Sequence, residues 1–312
     1  MAFEQVSELV GYPPVPLVSI PTLYHEDREN RVLIISDCGE ESCNLKTLMQ
    51  RAPLDIDLAR TIGHSLGNFL ARLHNTTLTS DSSPRSPGEK LKAAFASHHQ
   101  GRRICARFYY GPVLETLAPS HTQNAGPALI TPPLDLSPAQ LAVVASVVEE
   151  MEHQVMTSDQ VLTMGDFWPG NVLVKLDADW VSEHGVHVTL VDWEVARPGR
   201  AGLDIGQFLA EMSQLRTFHP SARASVDALV AAFTGAYRDV SIGSGEGLDL
   251  VEVMHVAALQ LGVHLITLTP RTAWGGMELT RQVVREGVEY ILRVVDKDEE
   301  WIRSSIVGGL AG

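Results

Sequence analysis

The sequence predicts an α+β chain that is mostly helical. Three observations carry that prediction: two short β-branched runs near the N-terminus, a pair of apolar strands in the middle joined by a polar loop, and helical periodicity from Arg200 to the end. With 312 residues, 45% of them hydrophobic and 20% charged, the chain has enough length for one large domain or two smaller ones, each with its own core.

In chain order, "IPTLYHED" and "RVLIISD" read as adjacent strands, Ile20 to Tyr24 and Arg31 to Ser36, and "CGEESCN" as a turn-rich connector. From Asp55 to His74, residues Ile62, Leu66, Phe69, Leu70 and Leu73 fall on one stripe at helical spacing, which predicts a core-facing helix. The stretch Asn75 to Glu89 is rich in Ser, Thr and Pro and reads as a loop, with a helix after it around Leu91 to His98. Ser137-Pro138-Ala139-Gln140 has the form of an N-cap, a first-turn proline and a capping-box glutamine. The helix it opens carries Leu141, Val144, Val148, Met151 and Val155 on one face. Strands follow at Asn171 to Leu176 and His187 to Asp192, then helices at 203–215, 221–239, 248–267 and 276–303.

Composition excludes several classes. The formal charge of -14 and a total of five lysines leave no clustered basic surface for nucleic acid. No run of eighteen apolar residues predicts a membrane span, and "MAFEQVSELVGYPP" lacks the basic and apolar regions of a secretory signal, so the expected setting is cytoplasmic. Cys38, Cys43 and Cys105 are too few and too irregularly spaced for a disulfide framework or a zinc site, which predicts reduced thiols.

The chemistry is concentrated in "TMGDFWPGNVLV", Thr163 to Val174. Phosphoryl transfer needs a carboxylate to orient the acceptor hydroxyl and oxygen ligands to hold Mg²⁺ against the nucleotide phosphates. Asp166 on a Gly-led turn supplies the first, and Asn171, five residues later at the start of a strand, supplies an amide oxygen for the second. Pairing that strand with "VTLVDWEVA" brings Asp192 beside Asn171, with Glu194 two residues further on as a further ligand or its water-mediated partner. Taken singly, each is an ordinary turn, edge or strand-end residue; the joint spacing is what points to a site.

"GDFWPGN" followed by "VDWE" resembles the catalytic-loop and metal-binding segments of the aminoglycoside phosphotransferase and choline kinase-like family, which has a protein-kinase-like fold. "VLIISDCGE" is similar to the family's hinge strand, "LGNFLARLH" to the helix after it, and "GLDIGQFLAEM" to the segment whose Asp braces the catalytic loop. The resemblance implies an ATP- and Mg²⁺-dependent transfer of phosphate to a hydroxyl of a small molecule. It implies Asp166 as catalytic base, Asn171 and Asp192 as metal ligands with Glu194 beside them, and Asp204 as the brace. Ser36, Asp37 and Cys38 would lie along the adenine, and residues 1–38 would be a remnant of an N-lobe and hinge ahead of a helical C-lobe at 39–312.

Two positions depart from the family pattern. Its usual His is Met164 here, which fills the volume and loses the donor. The strand lysine and the glycine-rich loop that hold the phosphates should precede the hinge, yet residues 1–35 contain no lysine and one glycine, Gly11. A truncated N-lobe sheet follows, with an open edge that invites self-association. Glu4 or Glu8 would be the remnant of the helix that partners that lysine, and a longer reading frame upstream of Met1 is the corresponding expectation. The alternative function is a kinase-like binding protein without catalysis.

Weaker signals have plainer explanations. "GSGEG", Gly243 to Gly247, follows a helix and reads as a connector. His184, His187 and the His98-His99 pair read as surface histidines, and Ser65 sits mid-helix without the turn a nucleophile needs. Trp168 and Trp274 are the two tryptophans placed to border the acceptor, with loop packing as the competing role.

Overall fold

Four strands drawn from distant parts of the chain form the sheet on which the catalytic segment is mounted. The computed structural model describes residues 17–27, 29–78, 87–119, 128–176, 185–243, 247–272 and 274–312. Its strands are β1 (Val18–Ser19), β2 (Leu23–Asp27), β3 (Val32–Ile35), β4 (Cys43–Asn44), β5 (Val161–Thr163), β6 (Val172–Leu176), β7 (Val186–Leu190) and β8 (Arg197–Gly199). Its α-helices are α1 (Leu45–Arg51), α2 (Ile56–Thr77), α3 (Pro87–Ala96), α4 (His99–Cys105), α5 (Val113–Leu117), α6 (Pro138–Thr157), α7 (Gly202–Phe218), α8 (Arg223–Gly243), α9 (Leu250–Leu268), α10 (Met277–Val295) and α11 (Glu299–Ser304).

The main sheet has the order β1-β7-β6-β4. The β6/β7 pair is antiparallel, in register from Val172 opposite Leu190 to Leu176 opposite Val186. Alternation puts Val172 and Val174 of β6, with Val186, Val188 and Leu190 of β7, into the core. β1 joins β7 in parallel and β4 joins β6 antiparallel. β2 and β3 form a separate antiparallel hairpin whose Tyr24, Leu33 and Ile34 are more than half or half exposed.

Helices make up the remainder, and glycine governs their closest contact. Gly63 and Gly67 of α2 face the backbone of α8, where an added Cβ would lie 2.2 Å from the carbonyl oxygens of Leu229 and Phe233. Phe167, just after Asp166, packs on Phe208 and Phe233 at centroid distances of 5.2 and 6.2 Å, which anchors the catalytic segment to α7 and α8. The span Leu250–Arg271 is long and apolar enough to cross a membrane by composition, but 72% of its most apolar window is buried among the other helices, as in a core helix.

Most predicted elements are present, with informative shifts. The strand predicted at Ile20 to Tyr24 is found as β2, Leu23–Asp27, starting after Pro21, whose missing N–H makes it a poor ladder residue. The cap at Ser137 is complete: its Oγ accepts from Gln140 N at 3.2 Å, and its N–H donates to Gln140 Oε1 at 2.9 Å. Of the predicted face of α6, Val144, Val148, Met151 and Val155 are buried and Leu141 is half-buried. The predicted loop after His74 begins later, because α2 runs on to Thr77, and the C-terminal helix divides at Lys297, whose φ is +56°. His98 is not a plain surface residue, since its Nδ1 lies 2.9 Å from the Ala196 carbonyl. His187 stands exposed on β7. Glu4, Glu8, Gly11, His184 and the centre of "GSGEG" lie outside the described residues.

Candidate active site

A glycine turn aims the predicted base. Gly165 has a φ of +81°, and a Cβ there would fall 2.2 Å from Arg197 Nη1 and 2.6 Å from the Val195 carbonyl. The turn is held from below by Asp204 near the start of α7. Its Oδ2 accepts from Met164 N at 2.8 Å and its Oδ1 from Gly165 N at 2.9 Å. Asp204 is 1% exposed, so its oxygens are satisfied by protein hydrogen bonds rather than by water. Behind it, His74 Nε2 donates to Asp204 Oδ2 at 3.3 Å, and Tyr237 OH lies 2.9 Å from His74 Nδ1. Met164 therefore contributes its backbone N–H and its buried volume, while a histidine from α2 reaches the brace from the other side.

Three side chains fix the carboxylate of Asp166. Tyr109 OH donates to Oδ1 at 3.1 Å, Gln207 Nε2 donates to the same oxygen at 2.7 Å, and Asn171 Nδ2 donates to Oδ2 at 2.8 Å. Burial, then the charge of Asp166, pushes the Tyr109 phenol well above its ordinary range, so it stays a proton donor at neutral pH. Asn171 Nδ2 also donates to the Asp166 carbonyl at 3.0 Å.

The hairpin brings Asp192 to the same end as Asn171, because Val191 N donates to the Asn171 carbonyl at 3.0 Å. Asp192 takes a left-handed backbone, φ +67°, uncommon outside glycine and best tolerated by Asp and Asn. Partial burial, then the charges of Glu194 and Asp166, raises its carboxyl above the ordinary value. Such crowding of like charge suits a site completed by a cation. Among the described residues no cluster of three or more His, Cys, Asp or Glu forms a ready metal cage. One carboxylate and one amide oxygen, with waters and phosphate oxygens making up the rest, is the donor set that Mg²⁺ prefers, so the residues present fit it.

At the hinge, Ser36 is committed: its N–H donates to the Thr22 carbonyl at 2.8 Å, and its Oγ accepts from Thr22 N at 2.9 Å. Asp37 Oδ1 accepts from Gly39 N at 3.0 Å to close the turn. Burial raises the Cys38 thiol, against a hydrogen bond from its neighbour Thr189 on β7.

On the other side of Asp166 is a cavity of about 400 Å³. Trp168 lines it, together with Phe108, Tyr109, Lys46, Glu211 and His264. Trp168 reaches this place by folding over its own loop, where a Cβ on Gly170 would meet the indole at 2.2 Å. Trp274 is half-buried, stacks on Phe218 at 5.6 Å and is not among the residues that line this cavity, so the structure gives it a packing role.

Sequence reasoning missed Tyr109, Gln207, Glu211, His264 and His74. A signal for two of them existed: Asp204, Gln207 and Glu211 recur at three- and four-residue spacing in a helix that is otherwise apolar as far as Met212, so they share one face. Tyr109 had none, because it sits in a π-helical turn, Ala106–Tyr110, that periodicity does not announce.

Comparison with known proteins gives the chain's relatives. The model of the family described as the phosphotransferase enzyme family matches residues 5–242. A 4-hydroxytryptamine kinase of Psilocybe cyanescens is 28% identical over 284 residues, 91% of this chain and 68% of its own length. The protein of the same name from Psilocybe cubensis is 27% identical over 274 residues, 87% of this chain and 66% of its own. The chain thus spans about two thirds of the length of these relatives. Among solved structures, a glucosamine kinase in complex with glucosamine, ADP and inorganic phosphate is similar at 14% identity and a TM-score of 0.46, covering 86% of this chain and 64% of its own.

Proposed function

The chain belongs to the phosphotransferase enzyme family and is in that sense a small-molecule phosphotransferase; from this premise we propose that it transfers the γ-phosphate of ATP to a hydroxyl of a small molecule, with Mg²⁺. The observation that carries the proposal is the Asp166 carboxylate, held by three donors at the edge of a cavity and next to Asn171 and Asp192.

In this reading Asp166 orients the acceptor hydroxyl and takes its proton as the oxygen attacks the γ-phosphorus and the bond to the ADP oxygen breaks. Tyr109 and Gln207 on Oδ1 and Asn171 on Oδ2 stop the carboxylate from rotating, so orientation is set before substrate arrives. Asn171 and Asp192 would hold the metal, with Glu194 beside them. When bound, Mg²⁺ neutralises charge on the phosphates. Asp37 and Cys38 with the Ser36 carbonyl would line the adenine.

The acceptor proposed for first assay is a small aromatic hydroxyl compound. Two relatives are named for 4-hydroxytryptamine, and Phe108, Tyr109 and Trp168 give the cavity aromatic walls. The relatives lend no support to a non-catalytic binding protein. A cytoplasmic setting goes with this reading, since ATP is a cytosolic donor and all three cysteines are free.

Asp166→Ala tests the proposal. Phosphate transfer should fall by roughly a hundredfold or more, while Mg²⁺-dependent nucleotide binding by calorimetry is retained. Transfer at the parent rate would overturn it.

A further inference from the structure

A guanidinium is buried against the catalytic turn without a carboxylate to pair it. Arg197, on β8 opposite Thr163 of β5, is 3% exposed. Its Nη1 donates to the Val195 carbonyl at 3.2 Å and covers the α-carbon of Gly165, where a Cβ would fall 2.2 Å from it. The guanidinium also hydrogen-bonds the Cys105 thiol, whose Sγ lies 3.9 Å from the Gly165 carbonyl. Its Nε is buried without a partner, and among the described residues no Asp or Glu forms an ion pair with it. Gly165 is therefore held on three sides: Asp204 accepts its N–H, Cys105 approaches its carbonyl, and Arg197 lies on its α-carbon.

The charge reaches further than the contacts. Burial raises the Cys105 thiol and the Tyr109 and Tyr110 phenols, and Arg197 opposes that rise in all three. Asp166 and Asp204 act on the same Cys105 thiol with the opposite sign, so one cation and two carboxylates share the space around the turn. A buried charge is costly, and apolar side chains of similar volume often replace even a paired one without loss of stability. Volume at this position would be filled as well by methionine. What methionine lacks is a charge opposite to those of Asp166 and Asp204.

We infer that Arg197 is a positioning residue for the transfer step: its guanidinium lies on Gly165 as the counter-charge of Asp166 and Asp204 and holds the turn that aims Asp166. The inference rests on the reading of Asp166 as the group that orients the acceptor. Arg197 does not line the cavity, so it acts through the turn and not on a ligand.

The test compares the full chain with Arg197→Met and Arg197→Lys by melting temperature, by amide exchange at Met164 and Gly165, and by transfer from ATP to 4-hydroxytryptamine with Mg²⁺. Arg197→Met should melt at or above the parent temperature, because an unpaired buried charge is gone. Its Met164 and Gly165 amides should nevertheless exchange about tenfold faster or more, with the amides of α9 unchanged. Its kcat should fall about tenfold or more while KM for ATP stays within about twofold. Arg197→Lys, which keeps the charge, should recover most of both losses. Parent-like exchange at Met164 and Gly165 in a folded Arg197→Met variant overturns the inference, and so does a kcat within about twofold of the parent. A lower melting temperature with faster exchange throughout the chain overturns it too, because Arg197 would then support the whole fold. Should Arg197→Met not fold, Arg197→Gln decides on the same readouts. Exchange needs no turnover: a parent that transfers no phosphate to 4-hydroxytryptamine fails the proposed function, and the exchange at Met164 and Gly165 still decides on Arg197.

Discussion

Replacing Asp204 by alanine should detach the catalytic turn from the helix beneath it. The carboxylate accepts the backbone N–H groups of Met164 and Gly165 at 2.8 and 2.9 Å, in a place where Asp204 is 1% exposed. Each buried N–H left without an acceptor costs about 1–3 kcal/mol, so the pair amounts to about 2–6 kcal/mol. At about 2–4 °C per kcal/mol for a chain above 150 residues, melting should fall by about 4–24 °C. The loss of function should exceed what the melting change explains, because displacement of a reacting group by about 1 Å can cost about a hundredfold in rate. Asp204→Asn separates the two effects: it keeps the volume and one acceptor but points an NH₂ at the other N–H. Differential scanning fluorimetry and initial rates at a temperature where the variants stay folded are the assays. Wild-type melting together with wild-type turnover in Asp204→Ala would refute the bracing argument.

Three further outcomes follow from the same geometry. Gly165→Ala forces a Cβ to within 2.2 Å of Arg197 Nη1 at a φ of +81°, so turnover should be lost with a clear drop in melting temperature, whereas unchanged rates would show that the turn can relax. Tyr109→Phe removes one charge-assisted donor from Asp166, about 1–2 kcal/mol, so turnover should fall about tenfold with little change in the binding of Mg²⁺ and nucleotide by calorimetry. The raised carboxyl of Asp192 means that its ionised form is disfavoured in the metal-free fold; that penalty acts at pH above the raised value and is relieved as pH falls through it. Asp192→Asn should therefore raise the melting temperature of the metal-free protein at neutral pH, flatten its acid-side pH dependence and make nucleotide binding insensitive to Mg²⁺; a lowered melting temperature at neutral pH would contradict the charge argument.

The legible part of this protein was what lies close in sequence. The spacing from Asp166 to Asn171 and the strand that ends at Leu190, two residues before Asp192 and not at Asp192 as predicted, encode their own convergence, because a hairpin register needs only local alternation. Ser137 and its capping box were readable for the same reason. Partners drawn from far along the chain were not. Tyr109 reaches Asp166 from a π-turn, and His74 reaches Asp204 across 130 residues of sequence, a pairing that no period records. The short strands β1 and β4 escaped because two residues cannot show an alternation, and they exist only because β7 and β6 offer open edges beside them.

That sheet has a mechanical corollary. β1 and β4 bracket the exposed β2/β3 hairpin and the hinge in sequence, and they are stitched to opposite sides of the strand pair that presents Asn171 and Asp192. The hairpin is thus a flap sewn down at both ends to a single plate. A load applied to the flap is delivered through β1 and β4 to β7 and β6, the strand pair whose one end meets Asn171 and Asp192. Movement of the hairpin and movement of the Asn171 and Asp192 end are, in this architecture, two readings of one displacement.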